Sequence, residues 1–291
     1  MEENVIECKN LTHYYGSRLI YENLNFSVKK GHIMGLLGKN GCGKTTTINI
    51  LNGFLQPRSG ECLIYGESTQ NLSPETKRRL GYLIEGHIQY SFMNIYQIEK
   101  FYSGFYKNWN RDAYFELMNR MKILPSQKVS SMSCGQRAQV ALGLILAQDP
   151  DLLILDDFSL GLDPGYRRLF VDHMREYAKS GNKTVFLTSH IIQDMDHLAK
   201  SLIFFKNGQL LDFKSPQELI LSLKQFFYET IVTKKDLQKY IETYHVSSIV
   251  PINDDYKIKF FSHKDELFPH CKEINLEDIY LYYYGDVYDK R

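Results

Sequence analysis

The stretch "HIMGLLGKNGCGKTTTINIL", residues 32 to 51, decides the fold. His32 to Leu37 reads as a short buried strand, the next seven residues as a glycine loop, and Ile48, Leu51 and Leu55 recur at helical spacing. Strand, loop and helix in that order are the context in which G-x-x-x-x-G-K-[ST], here residues 38 to 45, reads as a phosphate-binding loop. Gly38, Gly41 and Gly43 let backbone amides close on phosphate oxygens, and Asn40, Cys42 and Thr46 belong to the same candidate site. Lys44 reaches the β and γ phosphates, and the Thr45 hydroxyl can ligate Mg²⁺ at a helix N-terminus that already favours anions.

Upstream, "VIECKNLTHYYG" and "LIYENLNFSV" mix β-branched and aromatic residues around a "YYGS" turn, the pattern of antiparallel strands. Downstream, Ser73 caps a helix with Pro74 at its first position. From about 87 to 133 the chain is an aromatic-rich helical insertion, with Pro125 ending its second helix. The helix in "SCGQRAQVALGLILAQDP" aligns Val140, Leu144 and Ile145 on one face. After it come the strand "DLLILDD", the helix "GYRRLFVDHMREYAKSG" closed by Gly181, and the strand "KTVFLTSH". Continuous apolar strands alternating with helices imply a mostly parallel α/β core.

An Asn207–Gly208 turn joins two short strands, and Ser215 starts another helix. Beyond about residue 226 the order is strand, helix, hairpin, helix. The expected division is therefore a domain over 1–218 and a small α+β extension over 219–291.

Composition excludes several classes. Of 291 residues, 43% are hydrophobic, enough for a full core, and a formal net charge of +1 supplies no general field toward nucleic acid or an anionic membrane. "MEENVIECKN" lacks a signal-peptide pattern, and no 18-residue apolar window occurs, so a cytoplasmic chain is expected. The five cysteines lie far apart without a C-x-x-C pair and read as free thiols.

"LLILDDFS", residues 152 to 159, is an apolar run that stops on two adjacent carboxylates. A bare acidic pair would be a solvated strand end. Beside a phosphate-binding loop, Asp156 instead suits the acid that holds Mg²⁺ opposite Thr45.

"SMSCGQRAQVAL" just upstream of that strand, then "GLDP" and "TSH", resembles the ATP-binding subunits of ABC transporters over roughly residues 4 to 218. The likeness is to exporter types, similar to antibiotic-resistance and bacteriocin-immunity subunits. It implies a P-loop NTPase fold with an N-terminal antiparallel subdomain, ATP and Mg²⁺ as ligands, and a separate transmembrane permease. It also implies a second nucleotide-binding domain, since ATP is sandwiched between the loop of one and the signature of the other.

Carried over residue by residue, Tyr15 would stack on adenine, with Tyr14 as the second candidate. Glu85 stands where most of the family has a glutamine touching Mg²⁺ and the attacking water. The usual Leu-Ser-Gly-Gly-Gln signature is Met132, Ser133, Cys134, Gly135 and Gln136 here, so a thiol replaces a glycine. Asp163 matches the loop that crosses the dimer interface, and His190 the histidine that contacts the γ phosphate. Asp157 replaces a glutamate that orients or deprotonates water, and being one methylene shorter it implies slow hydrolysis.

Ile88, Tyr90, Phe92 and Met93 fall where the family receives its permease, which would hold the subunit at the inner face of the membrane. Two other readings compete. A soluble ABC ATPase acting on ribosomes or DNA would want fused halves or a coiled coil and a basic face, so no nucleic acid is expected. A low-turnover half of a heterodimer fits the departures at three motif positions.

Overall fold

A computed structural model describes residues 3–83, 90–179, 183–189, 191–206, 208–263, 268–271 and 273–285. It forms two compact units, 1–213 and 214–291. The sequence placed the division at 218/219; the structure puts it ahead of the helix that begins at Pro216.

In the first unit, β1 (Asn4–Tyr15) and β2 (Arg18–Lys29) form the expected hairpin. Its turn is carried by Gly16 at φ +59, a left-handed position at which glycine meets no Cβ penalty. Next come β3 (Ile33–Leu37), α1 (Lys44–Leu51), β4 (Ser59–Ile64) and β5 (Glu67–Ser68). Strands β2, β1, β4 and β5 make one antiparallel sheet in that order. Then follow α2 (Pro74–Arg78), β6 (Leu80–Leu83), α3 (Ile95–Ser103), α4 (Arg111–Arg120) and α5 (Cys134–Gln148). The unit continues with β7 (Leu152–Leu155), α6 (Pro164–Lys179), β8 (Thr184–Thr188), α7 (Ile192–Leu198), β9 (Ser201–Lys206) and β10 (Gln209–Lys214).

The second sheet has the order β10-β9-β3-β8-β7-β6, and β9 through β6 run parallel. Every residue of β3, β7 and β8 is buried, as strands of a parallel sheet covered on both faces must be. Ile48 and Leu51 of α1, Ile6 and Tyr21 of the antiparallel sheet, and Ile154 and Phe186 of the parallel sheet share one core. The register pairs Leu36 with Thr188 and Leu155 with Leu187, so the carboxyl ends of three neighbouring strands finish together. Ligands of open α/β sheets bind outside that edge.

Two helices end sooner than their apolar spacing predicts. α1 stops at Leu51 because Gly53, at φ +71, closes it, with the Phe54 amide donating to Asn49 O; Leu55 lies beyond. α4 stops at Arg120, five residues before Pro125, because Lys122 takes the same left-handed role at φ +51 and the Ile123 amide donates to Met118 O. Gly181 and Asn207 lie outside the described residues.

The second unit holds α8 (Pro216–Leu223), β11 (Phe227–Thr233), α9 (Leu237–Thr243), β12 (His245–Ile252), β13 (Asp255–Phe261) and α10 (Leu276–Tyr284). Its antiparallel sheet has the order β11-β13-β12 over a core containing Tyr228, Ile258 and Phe260. Among the described residues, no helix is long and apolar enough to cross a membrane.

Candidate nucleotide site

The glycine loop between β3 and α1 is shaped by close approach. A Cβ at Gly38 would lie 2.4 Å from Cys42 Sγ and 2.9 Å from Phe205 O. Gly43, at φ +115, would drive one to 2.7 Å from Ile20. Without such side chains the loop backbone stays bare, as a surface that must meet phosphate oxygens requires. Lys44 is buried, and its Nζ donates to Gly38 O at 2.8 Å and Lys39 O at 3.3 Å, so the ammonium is held inside the loop. Burial pushes the Cys42 thiol up, with Lys44 pulling it back.

A cleft of about 300 Å³ opens beside this loop, and its lining includes Asn40, Gly41, Gly43, Lys44, Thr45 and Thr46. Tyr15, 49% exposed at the end of β1, lines it too, with its ring edge-on to His13 at 4.8 Å. So does Asp157, which the parallel sheet brings in from the end of β7.

Asp156 and Asp157 are both buried. The Thr188 hydroxyl donates to Asp156 Oδ1 at 2.8 Å and accepts from the Asp157 amide at 2.9 Å. Asp157 itself sits at φ +43, a left-handed conformation that Asp and Asn adopt more readily than most residues. Tyr82, on the neighbouring strand β6, is pushed up to about 12 by burial and then by the charge of Asp156.

Ser133 to Gln136 stand at the start of α5. Ser133 caps the helix, its Oγ accepting from the Gln136 amide at 3.2 Å while the Gln136 carboxamide accepts from the Ser133 amide at 3.1 Å. A Cβ on Gly135 would lie 2.5 Å from the Tyr166 ring, and one on Gly161 3.2 Å from Cys134 Sγ. Asp163 Oδ1 accepts from the Gly165 and Tyr166 amides, both at 3.0 Å. The signature residues and the Asp163 loop are thus one packed surface.

Residues 21–159 match the family described as ABC transporter. The bacitracin transport ATP-binding protein BcrA of Bacillus licheniformis is 33% identical over 215 residues, 72% of this chain and 69% of BcrA. The chain belongs to the ABC transporter ATP-binding family. A second relative within it is the "Probable multidrug ABC transporter ATP-binding protein YbhF" of Escherichia coli (strain K12), 33% identical over 223 residues. That match takes in 75% of this ABC transporter chain but spans only 38% of YbhF. Among solved folds, a dimeric ATP-binding cassette in a post-hydrolysis state with ADP and Pi matches at TM-score 0.63 and 21% identity, over 72% of this chain and 98% of that one.

Of the family positions inferred from sequence, Tyr15, Asp157 and the loop residues other than Gly38 and Cys42 line one cleft, and Asp156 is tied to it through Thr188. Ser133 to Gln136 and Asp163 gather at the separate surface around Tyr166. Glu85, His190 and Ile88 lie outside the described residues. Sequence reasoning missed Arg18, whose Nη2 donates to Gly41 O at 3.0 Å, and Thr188. Arg18 stands just after the "YYGS" turn, and Thr188 falls inside "TSH", so position relative to those motifs was the available signal.

Proposed function

We propose that this chain binds and hydrolyses ATP to power a separate transmembrane permease, as part of an exporter. The observation that carries the proposal is the cleft in which a buried lysine, bare loop backbone, an exposed tyrosine and Asp157 converge. Relatives named for multidrug and bacitracin transport support the exporter reading. The adenine stacks on Tyr15, the loop amides and Lys44 take the phosphates, and the Ser133 to Gln136 surface of a second nucleotide-binding domain closes on the γ phosphate.

Thr45 and Asp156 offer only oxygen donors, a set suited to a hard cation such as Mg²⁺, which binds through one or two carboxylates plus phosphate. Asp156 is oriented for that task by Thr188. Held by Thr45 and Asp156, Mg²⁺ would supply neutralisation of phosphate charge. Asp157 accepts a proton from, or orients, the attacking water, and Glu85 and His190 complete the water and γ-phosphate contacts. Asp163 belongs to the interface between the paired domains. Tyr90 and Phe92, both exposed, with Met93 beside them, supply an apolar face for the permease. Through it the subunit sits at the cytoplasmic face of the membrane.

Titration with a fluorescent ATP analogue tests the assignment. Lys44→Ala removes a buried ammonium and should weaken binding by more than tenfold, about 1.4 kcal/mol. Equal affinities in wild type and variant would remove the cleft from the mechanism.

A further inference from the structure

We propose that Asp194, in α7, is a positioning residue for hydrolysis: it holds Arg167 behind Asp163 and Ser159 beyond Asp157 in one arrangement with the end of β8. The proposal rests on the ATPase reading above.

Asp194 is 4% exposed. Its Oδ1 lies 3.5 Å from Arg167 Nε, and the Arg167 amide donates to Asp163 O at 3.0 Å in the first turn of α6. The Ser159 hydroxyl favours the charged form of Asp194 and also bonds Ser189 Oγ at 3.1 Å. Ser189 follows Thr188, and its Oγ accepts from the Ile191 amide at 3.0 Å, while the Asp194 amide donates to Ile191 O at 3.1 Å. The carboxyl thereby engages Arg167, in the turn that follows Asp163, and Ser159, two residues after Asp157, and Ser159 carries the link on to Ser189 beside Thr188.

The Asp194 carboxyl is only partly satisfied. Its Oδ2 is buried with no hydrogen-bond partner among the described residues, and an incompletely satisfied buried carboxyl is destabilising. Burial raises its pKa, and Ser159, Arg167 and His197 pull it back. Arg168, Asp172 and Arg175 line the same cavity, about 400 Å³ between α6 and α7, so the carboxyl sits among fixed charges rather than in free water. Lining the nucleotide cleft are none of Asp194, Arg167 and Ser159. Loss of the carboxyl should therefore disturb the geometry of turnover and spare nucleotide affinity, since a misplacement near 1 Å at a reacting centre costs on the order of a hundredfold in rate.

The test uses the full chain. Asp194→Asn should bind the fluorescent ATP analogue within about twofold of wild type and lose about tenfold or more in phosphate release. Amides over 157–167 and 188–194 should exchange hydrogen faster, with those over 44–51 unchanged. Arg167→Gln should behave alike, and the double variant no worse than either, because the two act as one unit. The proposal is overturned by unchanged turnover and exchange, by additive losses in the double variant, or by affinity and exchange over 44–51 changing in parallel with turnover. A wild type without turnover would refute the ATPase reading, and the exchange pattern would still decide on Asp194.

Discussion

The Thr188 hydroxyl donates to Asp156 Oδ1 at 2.8 Å, and the same oxygen accepts from the amide of Asp157. One side chain on β8 thus orients the carboxylate proposed for Mg²⁺ and the backbone of the carboxylate proposed for water. Thr188→Val keeps the shape and deletes the hydroxyl, so the Asp157 amide and Asp156 Oδ1 each lose this hydrogen bond. The expected loss is about 1–3 kcal/mol in chemical denaturation, with a larger proportional loss in Mg²⁺-dependent turnover than in nucleotide affinity. Unchanged denaturation and turnover would remove Thr188 from both roles.

Asp157→Asn retains a residue that accepts φ +43 and removes the carboxylate. ATP binding should persist and most of the turnover disappear, since a positioned base contributes about 10² to 10⁴. Asp157→Glu reaches about 1.5 Å further and should maintain or raise turnover, at a small cost in stability from the left-handed backbone. Phosphate release by the assembled complex checks both: an Asn variant as fast as wild type excludes Asp157 from the chemistry.

Gly135→Ala places a methyl 2.5 Å from the Tyr166 ring. Overpacking of that kind costs about 1–3 kcal/mol. Because the Tyr166 amide is bonded to Asp163 Oδ1, a displaced Tyr166 should also disturb the Asp163 loop. Light scattering on a hydrolysis-dead background should show weaker ATP-driven pairing of domains, while single-chain affinity for the analogue stays near wild type. Normal pairing would mean that this surface tolerates a Cβ.

Cys8 and Cys62 face each other across β1 and β4, with sulfurs 2.8 Å apart. Burial first, and then the Cys62 contact, hold the Cys8 thiol well above the usual range. A raised thiol pKa keeps the folded form protonated, so its stabilising contribution is complete below the ordinary thiol pKa and declines as pH rises beyond it. Iodoacetamide at pH 8 should accordingly modify the half-buried Cys134 well before Cys8, with mass spectrometry reporting the order. Early labelling of Cys8 in the native protein would contradict its burial.

The sequence by itself determined what short-range chemistry encodes. The loop at 38 to 45 is legible because its glycines, lysine and threonine act within one turn of chain. The caps at Ser73, Ser133 and Ser215 are legible because a hydroxyl reaches an amide three residues on. Apolar runs at β3, β7 and β8 announce burial on both faces.

Tertiary structure alone decided which distant groups meet. Apolar periodicity specifies the buried face of an element but not its neighbour, so nothing local announces that β7 and β8 bring Asp157 and Thr188 together. Nor does it announce that Arg18 crosses from the hairpin to Gly41 O, or that Asp194 reaches Arg167.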